Sequence, residues 1–316
     1  MSTDINDVVF ELRRELEKQF NQRLMDNQPR WKRFIRNPGL LTEWLKIHGK
    51  YIFTDYGREI HRHRRIIASR MNRPNEFTPT DKKFPDTKIA VYTVITGNYD
   101  TPSEPVYVDD DIDYYLFADS ESASGCNGKV WNVIHSPLLQ EGMSNAKRNR
   151  YMKLHHDEML ELTGRKYDYS IYIDGSIRII CDIKPLVYSL IESGKTLAIH
   201  HHRIRDCIYE ERNDILMQNK ARAKDIDEQL NFYRNDGMPE HFGLFENTIL
   251  IRKCNDSKLN DIMHQWWLQV ERFTQRDQLS LPYVLWKNGL DCSYVFSLGN
   301  NVWNNPYFLF YNHNSR

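Results

Sequence analysis

Hydrophobic and polar positions change their rhythm near residue 88. Before it, Val8, Val9, Leu12, Leu16, Phe20 and Leu24 recur at helical spacing, which predicts a helix over 4–24. Two more helices are predicted at 40–48 and 56–71, with Pro29 and the Pro38-Gly39 pair as punctuation. A polar stretch over 72–87 carries Pro74, Pro79 and Pro85 and reads as a linker. From Lys88 on, short apolar runs alternate with amphipathic stretches. Residues 89–95 are almost continuously apolar, as expected of a strand covered on both faces. Further strands are predicted at 114–117, 130–134, 168–174, 196–201, 247–251 and 294–296, with a short one at 176–180. Helices are predicted at 144–162, 184–193, 257–273 and 277–287, and a charged helical stretch follows residue 201. This alternation implies an α/β fold, a mostly parallel sheet flanked by helices, over 88–316. Residues 1–87 form a helical appendage and its linker.

Composition sharpens the picture in three ways. At 40% hydrophobic and 12% aromatic the chain can bury a large core, and its 18 tyrosines and seven tryptophans suit carbohydrate surfaces as well as core packing. Cys126, Cys181, Cys207, Cys254 and Cys292 are scattered without a Cys-x-x-Cys pair, which argues against a zinc site or disulfide framework and fits a reducing cytoplasm. No apolar run reaches the roughly 18 residues that cross a bilayer, and the N-terminus lacks a signal-peptide core.

The formal net charge of zero hides an asymmetry. Residues 1–88 hold 19 Lys and Arg against 12 Asp and Glu, and the remainder holds 24 against 31. Arg58, Arg62, Arg64, Arg65, Arg70 and Arg73 concentrate the positive charge. Such a segment can dock on an anionic membrane surface or an assembly partner, or pack on the acidic domain. Nucleic acid is not expected as a partner, because few aromatics interleave with these arginines.

Candidate chemistry gathers at predicted strand ends, where open α/β sheets bind ligands. The run Tyr169-Ser170-Ile171-Tyr172-Ile173-Asp174-Gly175-Ser176 ends a strand in one carboxylate, a glycine and a hydroxyl. Asp174 there suits a divalent cation bridging to a diphosphate; it equally suits a tight turn into the next strand. Thr96-Gly97-Asn98-Tyr99-Asp100 is a glycine-bearing turn after the first strand, without a Gly-x-Gly-x-x-Gly or Walker lysine. Asp119 follows the second strand and reads as a base or ribose acceptor or as a loop cap. Lys147, Arg150 and Lys153 share a helix face and could meet a diphosphate. His200-His201-His202 cannot all reach one metal from a strand, so His200 or His202 is the cleft candidate. Asp277 reads as a helix N-cap or as a carboxylate that orients or deprotonates an acceptor hydroxyl. The aromatic tail around Asn304-Asn305-Pro306 closes over a sugar, with His313 as a late metal ligand, or stitches the core.

The turn at Thr96–Asp100, the Arg150-x-x-Lys153 step, Tyr172-Ile173-Asp174-Gly175-Ser176, the His200 strand with Tyr209-Glu210-Glu211, and Arg276-Asp277-Gln278-Leu279-Ser280 occur in this order. Together they resemble the glycosyltransferase-like domain of plant cell-wall mucilage proteins and bacterial polysaccharide clusters, over about 88–300. That family resembles GT-A glycosyltransferases, which hold a nucleotide sugar through a metal bound by an Asp-x-Asp motif. Ser176 stands where the second Asp would be. The resemblance implies a GT-A-like fold and transfer from a nucleotide sugar, a UDP-sugar, to a saccharide or lipid-linked saccharide. It implies Mn²⁺ or Mg²⁺ at Asp174, with Ser176 and His313. Donor contacts are expected from Thr96, Asn98, Tyr99, Asp119, Lys147, Arg150, Lys153 and Asp174, and catalytic ones from Asp277, Gln278 and His200. Two other readings stand beside it: a non-catalytic carbohydrate-binding relative, and a nucleic-acid-binding or scaffolding protein acting through the basic helices.

Overall fold

The computed structural model describes residues 74–123, 130–135, 142–217 and 220–310. The helices expected at 4–24, 40–48 and 56–71, and His313, lie outside the described residues.

The elements run β1 (Ile89–Ile95), β2 (Ile112–Ala118), α1 (Ser120–Ala123), β3 (Asn132–His135), α2 (Asn145–Leu154), α3 (His156–Glu161), β4 (Tyr169–Ile173), β5 (Ile177–Ile179) and α4 (Lys184–Ser193). They continue with β6 (Leu197–His201), α5 (Ile208–Met217), α6 (Ala223–Asn235), β7 (Phe245–Lys253), α7 (Ser257–Arg272), α8 (Asp277–Lys287), β8 (Phe296–Ser297) and β9 (Phe308–Phe310). Seven strands form one sheet in the order β3-β2-β1-β4-β7-β6-β8. β3, β2, β1 and β4 are mutually parallel, and β6 is parallel to β8. β7 alone runs against its neighbours, β4 and β6. The expected mostly parallel sheet between helices is therefore what the chain forms.

β1 shows why its apolar run is unbroken. Ala90, Tyr92 and Val94 enter the core beneath α2, α6, α7 and α8. Ile89, Val91 and Ile95 enter the opposite core with Leu186, Val187 and Leu190 of α4. Fully burying one such aliphatic side chain contributes about 1.5–3 kcal/mol. On α7, Leu259, Ile262, Met263, Trp266, Trp267 and Val270 form the matching apolar stripe.

The helix expected over 144–162 breaks at His155, which adopts φ −100°, ψ 58°. Its cause is a captured carbonyl: Lys153 O accepts from Tyr92 Oη at 2.9 Å and from Arg252 Nη1 at 2.7 Å. The helical ladder cannot continue through an oxygen so engaged. The strand expected at 294–296 is displaced; Cys292–Tyr294 is a 3₁₀ turn and the strand is Phe296–Ser297.

Both flanks of the sheet domain are fastened to it. Asn75 Nδ2 donates to Leu298 O at 2.8 Å, Thr80 N donates to Ser189 Oγ at 2.9 Å, and Phe84 lies 5.8 Å from the Tyr188 ring. The proline-bearing stretch from residue 75 thus runs along β8 and α4. At the other end β9 pairs with β5, Phe308 is fully buried, and the Trp303 and Phe310 rings lie 4.5 Å apart. These contacts match the core-stitch alternative for the aromatic tail.

Candidate active site

The candidate residues gather where β1, β2 and β4 end. β1 runs into two residues of positive φ, Gly97 at 63° and Asn98 at 51°. Gly97 is required twice over. Its backbone is left-handed, and a Cβ would collide with the side-chain amide of Asn145. Thr96 Oγ1 donates to Asn145 O at 2.8 Å, tying the turn to α2. Asp119, after β2, accepts from Gly97 N at 2.7 Å and from Ser122 N at 2.8 Å. Burial opposes its charge, but these bonds and the field of Arg148 outweigh burial and lower its pKa. Asp119 is thus the cap of α1 and the brace of the Thr96–Asn98 turn. Tyr99 projects from the same turn, 63% exposed.

β4 delivers Asp174. Its amide donates to Thr248 O at 2.9 Å, and its carbonyl closes a turn by accepting from Ile177 N at 2.9 Å. The tight-turn reading and the cleft reading of Asp174 therefore coexist. Tyr172 Oη donates to Asp174 Oδ1 at 2.7 Å. Ser176 sits two residues on in the same turn, partly buried.

α2 brings the cations. Lys153 is 2% exposed, and its Nζ lies 2.6 Å from Asp277 Oδ2 and 3.8 Å from Asp174 Oδ1. Arg150 Nε lies 3.6 Å from the same Asp277 oxygen. Burial lowers the Lys153 pKa, with Asp277 and Asp174 holding it up. Burial likewise opposes the Asp277 charge, but Lys153 and then Arg150 outweigh it and hold this carboxyl at about 2. Lys147 turns elsewhere; its Nζ donates to Glu271 O at 2.9 Å, at the end of α7. The expected three-cation face is a pair here, because Lys147 lies a turn too far from the strand end.

Asp277 opens α8 without capping it. The N-cap is Arg276, with no side-chain cap bond, and the Asp277 carboxylate serves Lys153 instead. Gln278 continues the line: its Oε1 accepts from Arg276 Nη2 at 2.7 Å, and its Nε2 donates to Glu246 Oε2 at 2.9 Å. Glu246 Oε1 lies 3.2 Å from His202 Nε2. Of the histidines, His202 joins this line. His200 is fully buried with Nε2 2.7 Å from Asn305 Nδ2, and its Nδ1 has no partner. Burial depresses the His200 pKa to about 3, so it stays neutral.

Glu246 was not among the sequence candidates. It stands at the amino end of β7, and only the antiparallel direction of β7 brings that end to the edge where β4 finishes. The one available signal was a carboxylate beginning a predicted strand.

A second cluster lies at the opposite edge. One ligand atom each from His156, Asp157 and Cys254 lie within 4.8 Å of one another. His156 Nε2 is 3.3 Å from Asp157 Oδ1, and Asp157 Oδ2 accepts from Asn255 N and Asn260 Nδ2, each at 2.8 Å. The spacing of the cysteines gave no sign of this grouping.

The sequence model of the TOD1/MUCI70, glycosyltransferase-like domain, matches residues 75–301. A curated relative, a probable hexosyltransferase MUCI70 of Arabidopsis thaliana, is 26% identical over 209 residues, covering 56% of this chain and 33% of its own length. The chain thus spans about a third of that relative. Among solved structures, the galactosyltransferase LgtC is 15% identical with a TM-score of 0.37, over 66% of this chain and 72% of its own. The mannosyltransferase Ktr4p of S. cerevisiae is 9% identical with a TM-score of 0.38, over 83% and 84%.

Proposed function

The chain belongs to the TOD1/MUCI70 glycosyltransferase-like family, and we propose that its cleft transfers a hexosyl group from a UDP-sugar to a saccharide hydroxyl. The observation that carries the reading is the buried Lys153 ammonium set between Asp174 and Asp277, with Arg150 beside it, at the sheet edge where the Gly97 turn ends. A buried cation with carboxylates on two sides is pre-positioned charge. It can meet the negative charge that grows on a departing diphosphate without reorganising water.

In the proposed reaction the bond from the anomeric carbon to the diphosphate oxygen breaks, and a bond from the acceptor oxygen forms. UDP leaves, and the acceptor hydroxyl gives up its proton. Gly97 and Asn98 shape the floor for the nucleotide, with Asp119 fixing the Gly97 amide and Ser122 Oγ the Asn98 amide. Arg150 and Lys153 face the diphosphate. Asp277 keeps Lys153 charged and in place; a carboxyl held at about 2 is a poor proton acceptor near neutrality. A hard divalent cation is compatible with this donor set. Asp174 Oδ1 is engaged by Tyr172, while the second Asp174 oxygen and the Ser176 hydroxyl remain for Mg²⁺ or Mn²⁺ beside phosphate oxygens. Bound there, the cation would supply additional charge neutralisation at the diphosphate.

The test compares UDP with uridine by calorimetry on the wild-type chain and on Arg150→Ala. UDP is expected to bind and uridine to bind more weakly. Arg150→Ala should weaken UDP by roughly 1.5–3 kcal/mol and leave uridine unchanged. Equal losses for both would refute the diphosphate assignment. Saccharide binding without UDP binding or turnover would favour the non-catalytic carbohydrate-binding reading.

A further inference from the structure

Glu246 is a buried carboxylate that the donor chemistry does not use. Its side chain keeps 9% exposure at the amino end of β7. That end lies on the edge that carries Asp174, because Asp174 N donates to Thr248 O, two residues along β7. One neutral donor holds it, and a neutral imidazole lies beside it. Gln278 Nε2 donates to Oε2 at 2.9 Å. The tautomer of that imidazole, His202, follows from its other nitrogen. His202 Nδ1 accepts from Arg205 N at 3.0 Å and from Ile204 N at 3.4 Å, so this nitrogen is bare and the ring proton sits on Nε2. His202 Nε2 lies 3.2 Å from Glu246 Oε1, so a neutral polar ring borders the oxygen that Gln278 leaves open.

The line of contacts joins this carboxylate to the donor half. Gln278 follows Asp277 on α8, and Arg276 donates back to Gln278. A saccharide hydroxyl approaching a sugar held over Lys153 and Asp174 would enter from the Glu246 side of that line. We propose that Glu246 is the acceptor-side base, which takes the proton of the attacking hydroxyl as the bond to the anomeric carbon forms and UDP departs. The inference rests on the sugar-transfer reading given above and assigns its proton.

The surroundings suit the role. Burial raises the Glu246 pKa to about 7, opposed by Arg203, Arg276 and Lys220 and reinforced by Glu211. His202 stays neutral, its pKa lowered to about 3 by burial and by Arg205 and Arg203. His200, opposite Glu246 in the β6–β7 ladder, is neutral too. A base poised near neutrality combines a usable ionised fraction with real proton affinity. Asp277, pinned by two cations, is ionised but has little proton affinity.

The experiment measures UDP release from a panel of UDP-hexoses, with water or added oligosaccharides as acceptor, against pH. It uses the full chain as wild type, Glu246→Gln and His202→Leu, with UDP affinity and melting temperature recorded for each. The wild-type rate should rise with pH through a midpoint near 7, since the base acts deprotonated. Glu246→Gln should lower the rate on the order of 100-fold, flatten that rise and leave UDP affinity unchanged. His202→Leu replaces a polar ring beside the charged form with hydrocarbon, so the midpoint should move up by roughly 0.5–1 pH unit. This shift remains readable if Glu246→Gln melts early. A Glu246→Gln enzyme that keeps its rate and pH profile, or a His202→Leu midpoint that stays put, overturns the proposal alone. Wild-type protein that neither binds UDP nor releases it overturns the sugar-transfer reading, and this proposal with it.

Discussion

Replacing Asp277 by Asn removes a charge from the centre of the proposed donor site while keeping nearly the same shape. Lys153 then remains 2% exposed with Asp174, 3.8 Å from its Nζ, as the nearest carboxylate. Two routes give the size of the loss. Holding the Asp277 carboxyl at about 2 instead of its ordinary 3.8 is worth about 2.5 kcal/mol at neutral pH. Breaking a buried pair by removing one partner costs about 3–5 kcal/mol, less whatever hydrogen bond the Asn oxygen keeps with Lys153. A loss of roughly 2–3 kcal/mol is therefore expected, which for a domain of this size lowers Tm by roughly 4–12 °C. The pH dependence has a fixed sign. The folded pKa lies below the unfolded one, so the stabilisation is complete above the unfolded value near 3.8 and fades as pH falls toward about 2. Thermal melts of wild type and Asp277→Asn should differ most at neutral pH and converge below pH 4. Adding Lys153→Met should recover most of the loss, because it removes the buried ammonium that Asp277→Asn leaves without its counter-charge. Melting within 1–2 °C of wild type at neutral pH (about the effect of 0.5 kcal/mol), or no recovery in the double variant, would refute the buried-pair argument.

Two further outcomes are expected. Asp174→Ala should abolish UDP release from UDP-hexoses while shifting Tm far less than Asp277→Asn, since Asp174 is partly exposed; near-wild-type turnover would remove Asp174 from the site. The N-terminal segment, with 19 basic against 12 acidic residues over 1–88, should carry the full chain into the pellet with anionic liposomes at moderate salt, whereas a chain starting near Lys88 stays in the supernatant; no difference between the two would end the membrane-docking expectation.

The sequence disclosed the sheet more readily than the site. Residues 89–95 could only be a strand covered on both faces, and 184–193 carried its own helix signals in Pro185 and Gly194. The break at His155 was not legible, because its cause is Tyr92 and Arg252, 61 and 99 residues from the carbonyl they capture. The same holds at the cleft. Asp174, Arg150, Lys153 and Asp277 could be named from strand ends and helix faces, and the structure brings them together. Lys147 shares their spacing but not their direction. His202 could be named as one of two cleft candidates, whereas Glu246 depends on the reversal of β7, which leaves no periodic trace in the chain.

The β5–β9 pairing has a consequence for where this fold can be cut. Family similarity fades at residue 301, yet Phe308–Phe310 supplies the partner strand for Ile177–Ile179, immediately after the Asp174 turn. A chain trimmed to the region of similarity would lose that partner. Its β5 amides and carbonyls would face solvent, beside the apolar surface that Phe308 had covered. Such an open edge invites pairing with a second molecule, so the trimmed protein should aggregate through the very turn that carries Asp174.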